Sequence, residues 1–291
     1  MRKLSLITLM ILQSVTLLRG STNASAAGEQ TKAQRTSPTA RNRSQQVREL
    51  MNAAARGDTR KVVQLLDNGL KVNVSFPPDE SEFSGMTALM VASLHGYPEL
   101  VEELIKRGAD VNLKRYVGDT ALMFAARTGN VKTVNALLGA GANPNATVMS
   151  PHAGEITPLN SAINSDRPNR VEIAKILIGA KAEINPKGDF FASPLINAVD
   201  DLEMVKLLIA SGAEVNQKNF RGATALMIAA GAGTLSVVRC LLEKGADVNA
   251  RDREGNTVLA YAEERRELFD PSRRDEIIQV LRKAQAESKP R

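Results

Sequence analysis

The sequence contains little that could carry metal or thiol chemistry. Among its 291 residues are one Cys, two His and no Trp, and aromatic residues make up only 3%. One Cys cannot form a disulfide within the chain, and one Cys with two His is too small a ligand set for a zinc cluster. Asp and Glu number 32, so carboxylate chemistry has to be judged from their arrangement. We therefore expect no metal and no other cofactor.

The folded part of the chain also lacks an excess of basic charge, although the net charge is +6. Residues 1–26 carry +3 and residues 27–46 carry another +3, which leaves the remainder neutral. Binding to a nucleic-acid backbone requires several Lys or Arg side chains on one surface. The neutral remainder predicts no specific nucleic-acid partner.

The N-terminus has the pattern of an export signal. Arg2 and Lys3 precede a run of 15 mostly apolar residues, Leu4–Leu18, and Ala24-Ser25-Ala26 then supplies small residues for a peptidase. An uncleaved anchor fits less well, because a spanning helix needs roughly 20 apolar residues. We expect cleavage near Ala26, a periplasmic or secreted mature protein and no stable membrane insertion.

Residues 27–46 contain Ser, Thr, Gln, Ala and Arg with almost no large apolar side chain. Such a composition cannot offset the entropy lost on ordering, which predicts a flexible linker. The folded domain is expected at 47–284 and a C-terminal tail at 285–291. In an alternative function, the basic linker itself binds anionic surfaces.

Two columns of residues recur along the predicted domain. The first is a Thr or Ser before an apolar stretch, at Thr87, Thr120, Thr157, Ser193, Thr224 and Thr257. The second is an Asn that usually follows Gly-Ala-x-Val, at Asn73, Asn112, Asn145, Asn185, Asn216 and Asn249. The spacings in the first column are 33, 37, 36, 31 and 33 residues. This period, with Gly-x-Thr-Ala-Leu-Met at three positions, resembles the ankyrin repeat.

Each repeat contains signals for two helices. The Thr side chain accepts a hydrogen bond from a free helical N–H, and a glycine such as Gly96 ends the first helix. The second helix has apolar residues at helical spacing, for example Leu104 and Ile105. No pair buries its apolar face alone, so neighbours must stack. The resemblance implies an all-α ankyrin-repeat α-solenoid of about seven helix pairs with finger loops, the pairs being 46–84, 85–117, 118–154, 155–191, 192–221, 222–254 and 255–284.

The sequence departs from the family pattern in two ways. The family's His after Pro-Leu is replaced at all six positions, by Met at three of them, Met90, Met123 and Met227, and we expect Met packing to replace the lost hydrogen bonds. Insertions fall in the finger loops 74–86 and 146–156, which either contact a partner or have drifted neutrally.

Arrangements typical of catalysis are nearly absent. His95 and His152 have no evident orienting acid nearby, and the carboxylates of Asp200-Asp201 lack a calcium-loop pattern. We interpret these groups as solvated and the protein as not an enzyme. The alternative, a hydrolase using carboxylates with His95, would need a pocket that joins these groups.

Six of the ten Phe and Tyr residues lie in predicted fingers. In the ankyrin family, fingers and first helices line a groove that binds other proteins, so the resemblance implies a protein partner for a monomeric chain. It also leaves open a stress-protective or regulatory role. The alternative is that the aromatic side chains pack finger against finger. The predicted partner-binding residues are Phe83, His95, Tyr116, Val117, Arg127, Phe190, Phe191, Phe220, Arg221 and Arg253.

Overall fold

The computed structural model describes residues 38–77, 83–150, 154–187, 193–264 and 271–288. Within these ranges the chain forms fourteen α-helices and one two-stranded sheet. The predicted all-α solenoid is therefore confirmed. In chain order the elements are α1 (Pro38–Ala55), α2 (Thr59–Asp67), α3 (Ala88–His95), α4 (Pro98–Lys106), α5 (Ala121–Thr128), α6 (Val131–Gly139), β1 (Val148–Ser150), β2 (Gly154–Ile156), α7 (Pro158–Ile163), α8 (Arg170–Gly179), α9 (Pro194–Asn197), α10 (Leu202–Ala210), α11 (Ala225–Ala232), α12 (Leu235–Glu243), α13 (Val258–Glu264) and α14 (Pro271–Glu287).

The first helices begin and end where the sequence predicts. The Thr87 hydroxyl oxygen accepts a hydrogen bond from the Met90 N–H at 3.3 Å, and the equivalent Thr caps α5, α7, α11 and α13. Gly96 ends α3 with φ of 73°, a conformation open to glycine at little cost. The exception is Ser193, whose buried hydroxyl caps nothing and has no hydrogen-bond partner. The helix that follows it, α9, has only four residues.

The core consists of the faces that neighbouring pairs present to each other. First helices stack from α3 to α13 and second helices from α2 to α14, and their buried apolar residues form one continuous cluster. Met90, Met123 and Met227 are at most 3% exposed, so methionine packing fills these positions as expected. Each pair is thus stabilised mainly by its neighbours.

The Asn column is explained by hydrogen bonds between successive repeats. The Asn112 Oδ1 accepts from the Asn143 N–H at 2.8 Å, and its Nδ2 donates to the Gly141 carbonyl at 2.9 Å. The same pair of bonds recurs at the four other positions that precede a further repeat, Asn73, Asn145, Asn185 and Asn216. Each Asn side chain thereby joins its own turn to the next one and satisfies an N–H and a carbonyl of that next turn.

The described part of the chain divides into two units, one that ends at Gln45 and one that begins at Gln46. Part of the predicted linker, residues 38–46, is helical and belongs to α1. This corrects the expected flexible segment, because Ala, Arg and Gln favour helix and Pro38 is compatible with a first helical position. Helix α14 likewise extends past the predicted domain end to Glu287. The predicted signal peptide, 1–26, and residues 27–37 lie outside the described residues.

Backbone hydrogen bonds join the described parts of both inserted fingers. In the finger 146–156, β1 pairs antiparallel with β2, with Met149 opposite Glu155. In the finger 74–86, the Phe76 N–H donates to the Met86 carbonyl at 2.8 Å. The described ends of both insertions are therefore held by backbone hydrogen bonds beside their helices.

Candidate functional site

Exposed apolar side chains are concentrated in the fingers. Among the described residues, the large apolar side chains that are exposed are Tyr116 (66%), Val117 (59%), Met149 (56%) and Phe220 (49%). All four lie in loops or the hairpin between helix pairs. We call these four residues the apolar finger patch. Met149 was missed at the sequence level, although its position in an insertion flanked by Val148 was a usable signal.

The finger that carries Tyr116 is held by its own backbone and by the preceding finger. The Arg115 N–H donates to the Asp119 carbonyl and the Gly118 N–H to the Arg115 carbonyl, both at 2.8 Å. The Arg115 Nε donates to the Ser84 carbonyl at 2.7 Å. The Tyr116 ring lies directly against Gly85, where any Cβ would overlap it. One part of the ring therefore packs finger against finger while most of the side chain stays exposed.

The finger that carries Phe220 is similarly rigid. The Asn219 Oδ1 accepts hydrogen bonds from two backbone N–H groups of its own loop, at 2.9 and 3.0 Å. The Arg221 guanidinium lies 5.5 Å from the centre of the Phe220 ring, and the Arg221 carbonyl accepts from the Arg253 N–H at 2.9 Å. Phe220, Arg221 and Arg253 are all exposed, so the structure brings these three predicted residues together.

The predicted residues at the ends of the first helices are exposed but differ in their contacts. The Arg127 guanidinium lies 5.2 Å from the centre of the Phe124 ring. The His95 ring stacks on Tyr97 and meets Phe83 edge-on, with centroids 6.4 Å apart in both cases. His95 therefore belongs to a chain of aromatic contacts at the end of α3.

The prediction for Phe83 needs correction. Its side chain is 8% exposed, and it packs edge-to-face on Phe76, which is 3% exposed. The Arg48 guanidinium lies over the Phe76 ring at 5.2 Å. Both rings therefore fill space between Arg48 and His95, and Phe83 is not available to a partner. Phe190 and Phe191 lie outside the described residues.

One carboxylate interpreted as solvated is instead structural. The Asp201 carboxylate caps α10 by accepting from the Glu203 and Met204 N–H groups. It also pairs with the Arg170 guanidinium at 3.0 Å, and both side chains are less than one quarter exposed. Asp201 therefore holds a helix start rather than facing solvent.

A cavity of about 480 Å³ lies beside the last two described fingers. Its lining includes Arg221 from one finger, Asp252 and Glu254 from the next, and Tyr261 from α13. The Tyr261 hydroxyl donates to the Asp252 carboxylate at 2.8 Å. Sequence reasoning missed this cavity, although the small residue Gly231 at the end of α11 was a signal for it.

The Tyr261–Asp252 hydrogen bond changes the acidity of both groups. Burial alone would raise the pKa of Asp252, but hydrogen bonds from Tyr261, Asn256 and the Glu254 N–H outweigh it and hold that pKa below its usual value. Burial and the bond to Asp252 raise the pKa of Tyr261 to about 12. At neutral pH the pair is therefore a carboxylate accepting from a neutral phenol.

A stack of helix pairs with ordered fingers and an exposed apolar finger patch is the architecture of a repeat protein that binds other proteins. The chain belongs to the ankyrin-repeat family, since the family model for ankyrin repeats (3 copies) matches residues 50–148, 118–188 and 192–289. Ankyrin-repeat domains are generic protein-interaction modules, and the fold is typically a non-catalytic scaffold.

Individual relatives agree with this assignment. The chain is 33% identical over 137 residues to the fowlpox virus ankyrin repeat protein FPV031, a match that covers 47% of this chain and 37% of the viral protein. The ankyrin repeat domain of human ASB11 superimposes with a TM-score of 0.65 at 25% identity, covering 83% of this chain and 98% of that one. The ankyrin repeat domain of Bcl-3, a member of the IκB family, gives 0.60 at 27% identity, with 80% and 97% covered.

In the part of the chain that the structure describes, no group of three or more His, Cys, Asp or Glu side chains is placed to hold a metal ion. In the same ranges, no helix is both long enough and apolar enough to cross a membrane.

Proposed function

We propose that this protein is an exported, non-catalytic scaffold that binds another protein through the apolar finger patch and the arginines beside it. The observation that carries this proposal is the exposure of Tyr116, Val117, Met149 and Phe220 on fingers. Exposed apolar surface on neighbouring fingers commonly marks an interaction site. Tyr116 and Val117 lie on one finger and Met149 on the next, where Val148 lies against Gly118. Phe220 lies on a later finger of the same series.

The fingers suit this role because they are ordered before any partner arrives. Tyr116 lies against Gly85, and Phe220 has the Arg221 guanidinium over its ring. Aromatic and arginine side chains dominate binding energy at protein interfaces. Rings already held by their neighbours lose little conformational entropy on binding.

The test is affinity capture with three baits. The first is the unchanged chain, the second is Tyr116→Ala with Phe220→Ala, and the third is Glu243→Ala with Lys244→Ala at the exposed end of α12. We expect the unchanged chain and the α12 variant to retain the same protein and the finger variant to lose it. Thermal unfolding should be nearly the same for all three. Equal retention by the finger variant would contradict the proposed surface.

Export is supported by the sequence of residues 1–26, with Arg2 and Lys3 before an apolar run and small residues at 24–26. Cell fractionation followed by mass spectrometry of the intact protein tests it. We expect a mature chain that begins near Ala27 outside the cytoplasm. A cytoplasmic chain that retains Met1 would refute export without bearing on the finger surface.

A further inference from the structure

The cavity beside α11 exists because the residues at the end of this first helix are smaller than those at the same position in other repeats. The last two residues of the first helices are Leu94-His95 in α3 and Arg127-Thr128 in α5, but Gly231-Ala232 in α11. A Cβ on Gly231 would come within 3.3 Å of the Tyr261 carbonyl oxygen. The missing side chains leave about 480 Å³ of space open between two fingers.

One part of this cavity is apolar. Ile228 and Ala232 contribute aliphatic surface, Tyr261 contributes its ring, and all three are half-buried. Ala223 also borders the cavity but is only 1% exposed. This surface suits an aliphatic chain, which gains free energy when it leaves water.

The other part of the cavity is mostly negative. Three carboxylates, those of Asp252, Glu254 and Glu264, face one guanidinium, that of Arg221. Asp252 is held in place by Tyr261 and by the Asn256 amide at 3.1 Å. The Arg221 guanidinium is engaged over the Phe220 ring. The cavity is thus complementary to a cation rather than to an anion.

The size and composition of the cavity fit one kind of occupant. Ligand sites are commonly about 300–1,000 Å³ and combine apolar walls with a few polar groups. Lys and Arg side chains consist of an aliphatic stem and a charged head, and they bury the stem along apolar surface. A cation over the Tyr261 ring would gain further attraction.

We propose that this cavity binds a lysine or arginine side chain of the partner protein. The stem lies on Ile228 and Ala232, and the charged head lies among the carboxylates of Asp252, Glu254 and Glu264. This inference rests on the proposed function, since it names the part of a partner that the finger surface receives. Phe220, which neighbours Arg221 on the same finger, then contacts the partner next to that side chain.

The probes are short peptides, so the experiment needs no partner. The full chain, isotopically labelled, is titrated with acetyl-Gly-Arg-Gly-amide and acetyl-Gly-Lys-Gly-amide, and amide resonances are followed by NMR. We expect saturable shifts confined to residues around Gly231, Asp252 and Tyr261. The neutral analogue with citrulline in place of arginine should bind about tenfold more weakly, because it keeps the shape and loses the charge.

Two variants and a control sharpen the titration. Glu254→Gln with Glu264→Gln removes two carboxylates and should weaken both cationic peptides about tenfold. Ala232→Leu should abolish binding by filling the cavity while every charge remains. Glu214→Gln with Glu243→Gln removes the same charge at exposed positions elsewhere and should change nothing.

Several outcomes would overturn the proposal. These are shifts spread over the surface, equal binding of the citrulline peptide, no effect of Ala232→Leu, or no binding at all. Tighter binding of acetyl-Gly-Glu-Gly-amide would also overturn it, since Arg221 would then dominate the cavity. The capture experiment with Tyr116 and Phe220 is independent of these peptides. A cavity that fails while the fingers still capture a partner leaves the proposed function intact.

Discussion

Helices α3 and α11 begin alike and end differently. Both start with Ala-Leu-Met after a capping Thr, and these residues are buried in both. At its end, α3 carries Leu94-His95 against a chain of aromatic rings, whereas α11 carries Gly231-Ala232 beside an open cavity. The first half of the helix therefore determines how repeats stack, and the last two residues determine whether the space at its end is filled or open.

The largest expected effect concerns the first half of α3 and α11, where the two helices have the same buried residues. Leu89→Ala in α3 and Leu226→Ala in α11 each remove a side chain that is at most 2% exposed. Each variant should lose about 3 kcal/mol of unfolding free energy, because a buried cavity remains. Chemical denaturation measures both. A loss at one site several times that at the other would show that the two helices are not packed equivalently.

A smaller effect, which depends on pH, concerns the cavity at the end of α11, where the two helices differ. Tyr261→Phe removes the hydroxyl that donates to Asp252, so it should destabilise the protein slightly at neutral pH. The folded pKa of Tyr261, about 12, lies above its ordinary value of 10.0. The stabilisation is therefore fully present below pH 10 and is lost as the pH rises towards 12.

Denaturation of both proteins at a series of alkaline pH values measures this difference. The difference in unfolding free energy between wild type and Tyr261→Phe should decrease as the pH rises over that range. Phe124→Leu, in α5, is the control, and its loss of unfolding free energy should not change with pH. A gap that stays constant would mean that the hydrogen bond contributes nothing to stability.

The smallest effect concerns a third difference between repeats, in the turn after each second helix. Gly108 and Gly141 occupy this turn with φ of 82° and 85°, but the fifth pair is preceded by Lys181 at 69°. A side chain in this conformation is strained. Lys181→Gly should stabilise the protein by about 0.5 kcal/mol, since relief of strain exceeds the added chain entropy of glycine.

Thermal denaturation measures the Lys181→Gly effect. Lys175→Gly is the control, because Lys175 lies within helix α8, where glycine is unfavourable. It should lower the unfolding free energy by about 1 kcal/mol. A destabilised Lys181→Gly would show that the lysine side chain makes a contact worth more than the strain it causes.

Much of the fold could be predicted because its signals are local. A Thr such as Thr224 caps a helix through an N–H three residues away, and Gly233 ends that helix by its own conformation. The Asn column was visible as a pattern in the sequence, but the structural role of these side chains was not. Asn216 bonds to groups about one repeat away, at Gly245 and Asp247, and only the stacked structure brings them into reach.

The candidate site was predicted less completely for the same reason. Phe83 and Tyr116 are both aromatic residues of fingers, and nothing local distinguishes them. The first is buried against Phe76, while the second lies on Gly85 with most of its surface exposed. Burial depends on how an inserted finger folds onto its neighbour, which is a property of two segments rather than of one.

The sequence by itself determined the repeat, its period, most starts and ends of the first helices and the buried methionines, because each depends on chemistry within a few residues. Only the tertiary structure decided which finger residues are exposed, why each Asn is needed and that the missing side chains at Gly231 and Ala232 open a cavity. These features arise where residues roughly one repeat apart meet. Their energies depend on packing and solvent exclusion between segments, which no single segment contains.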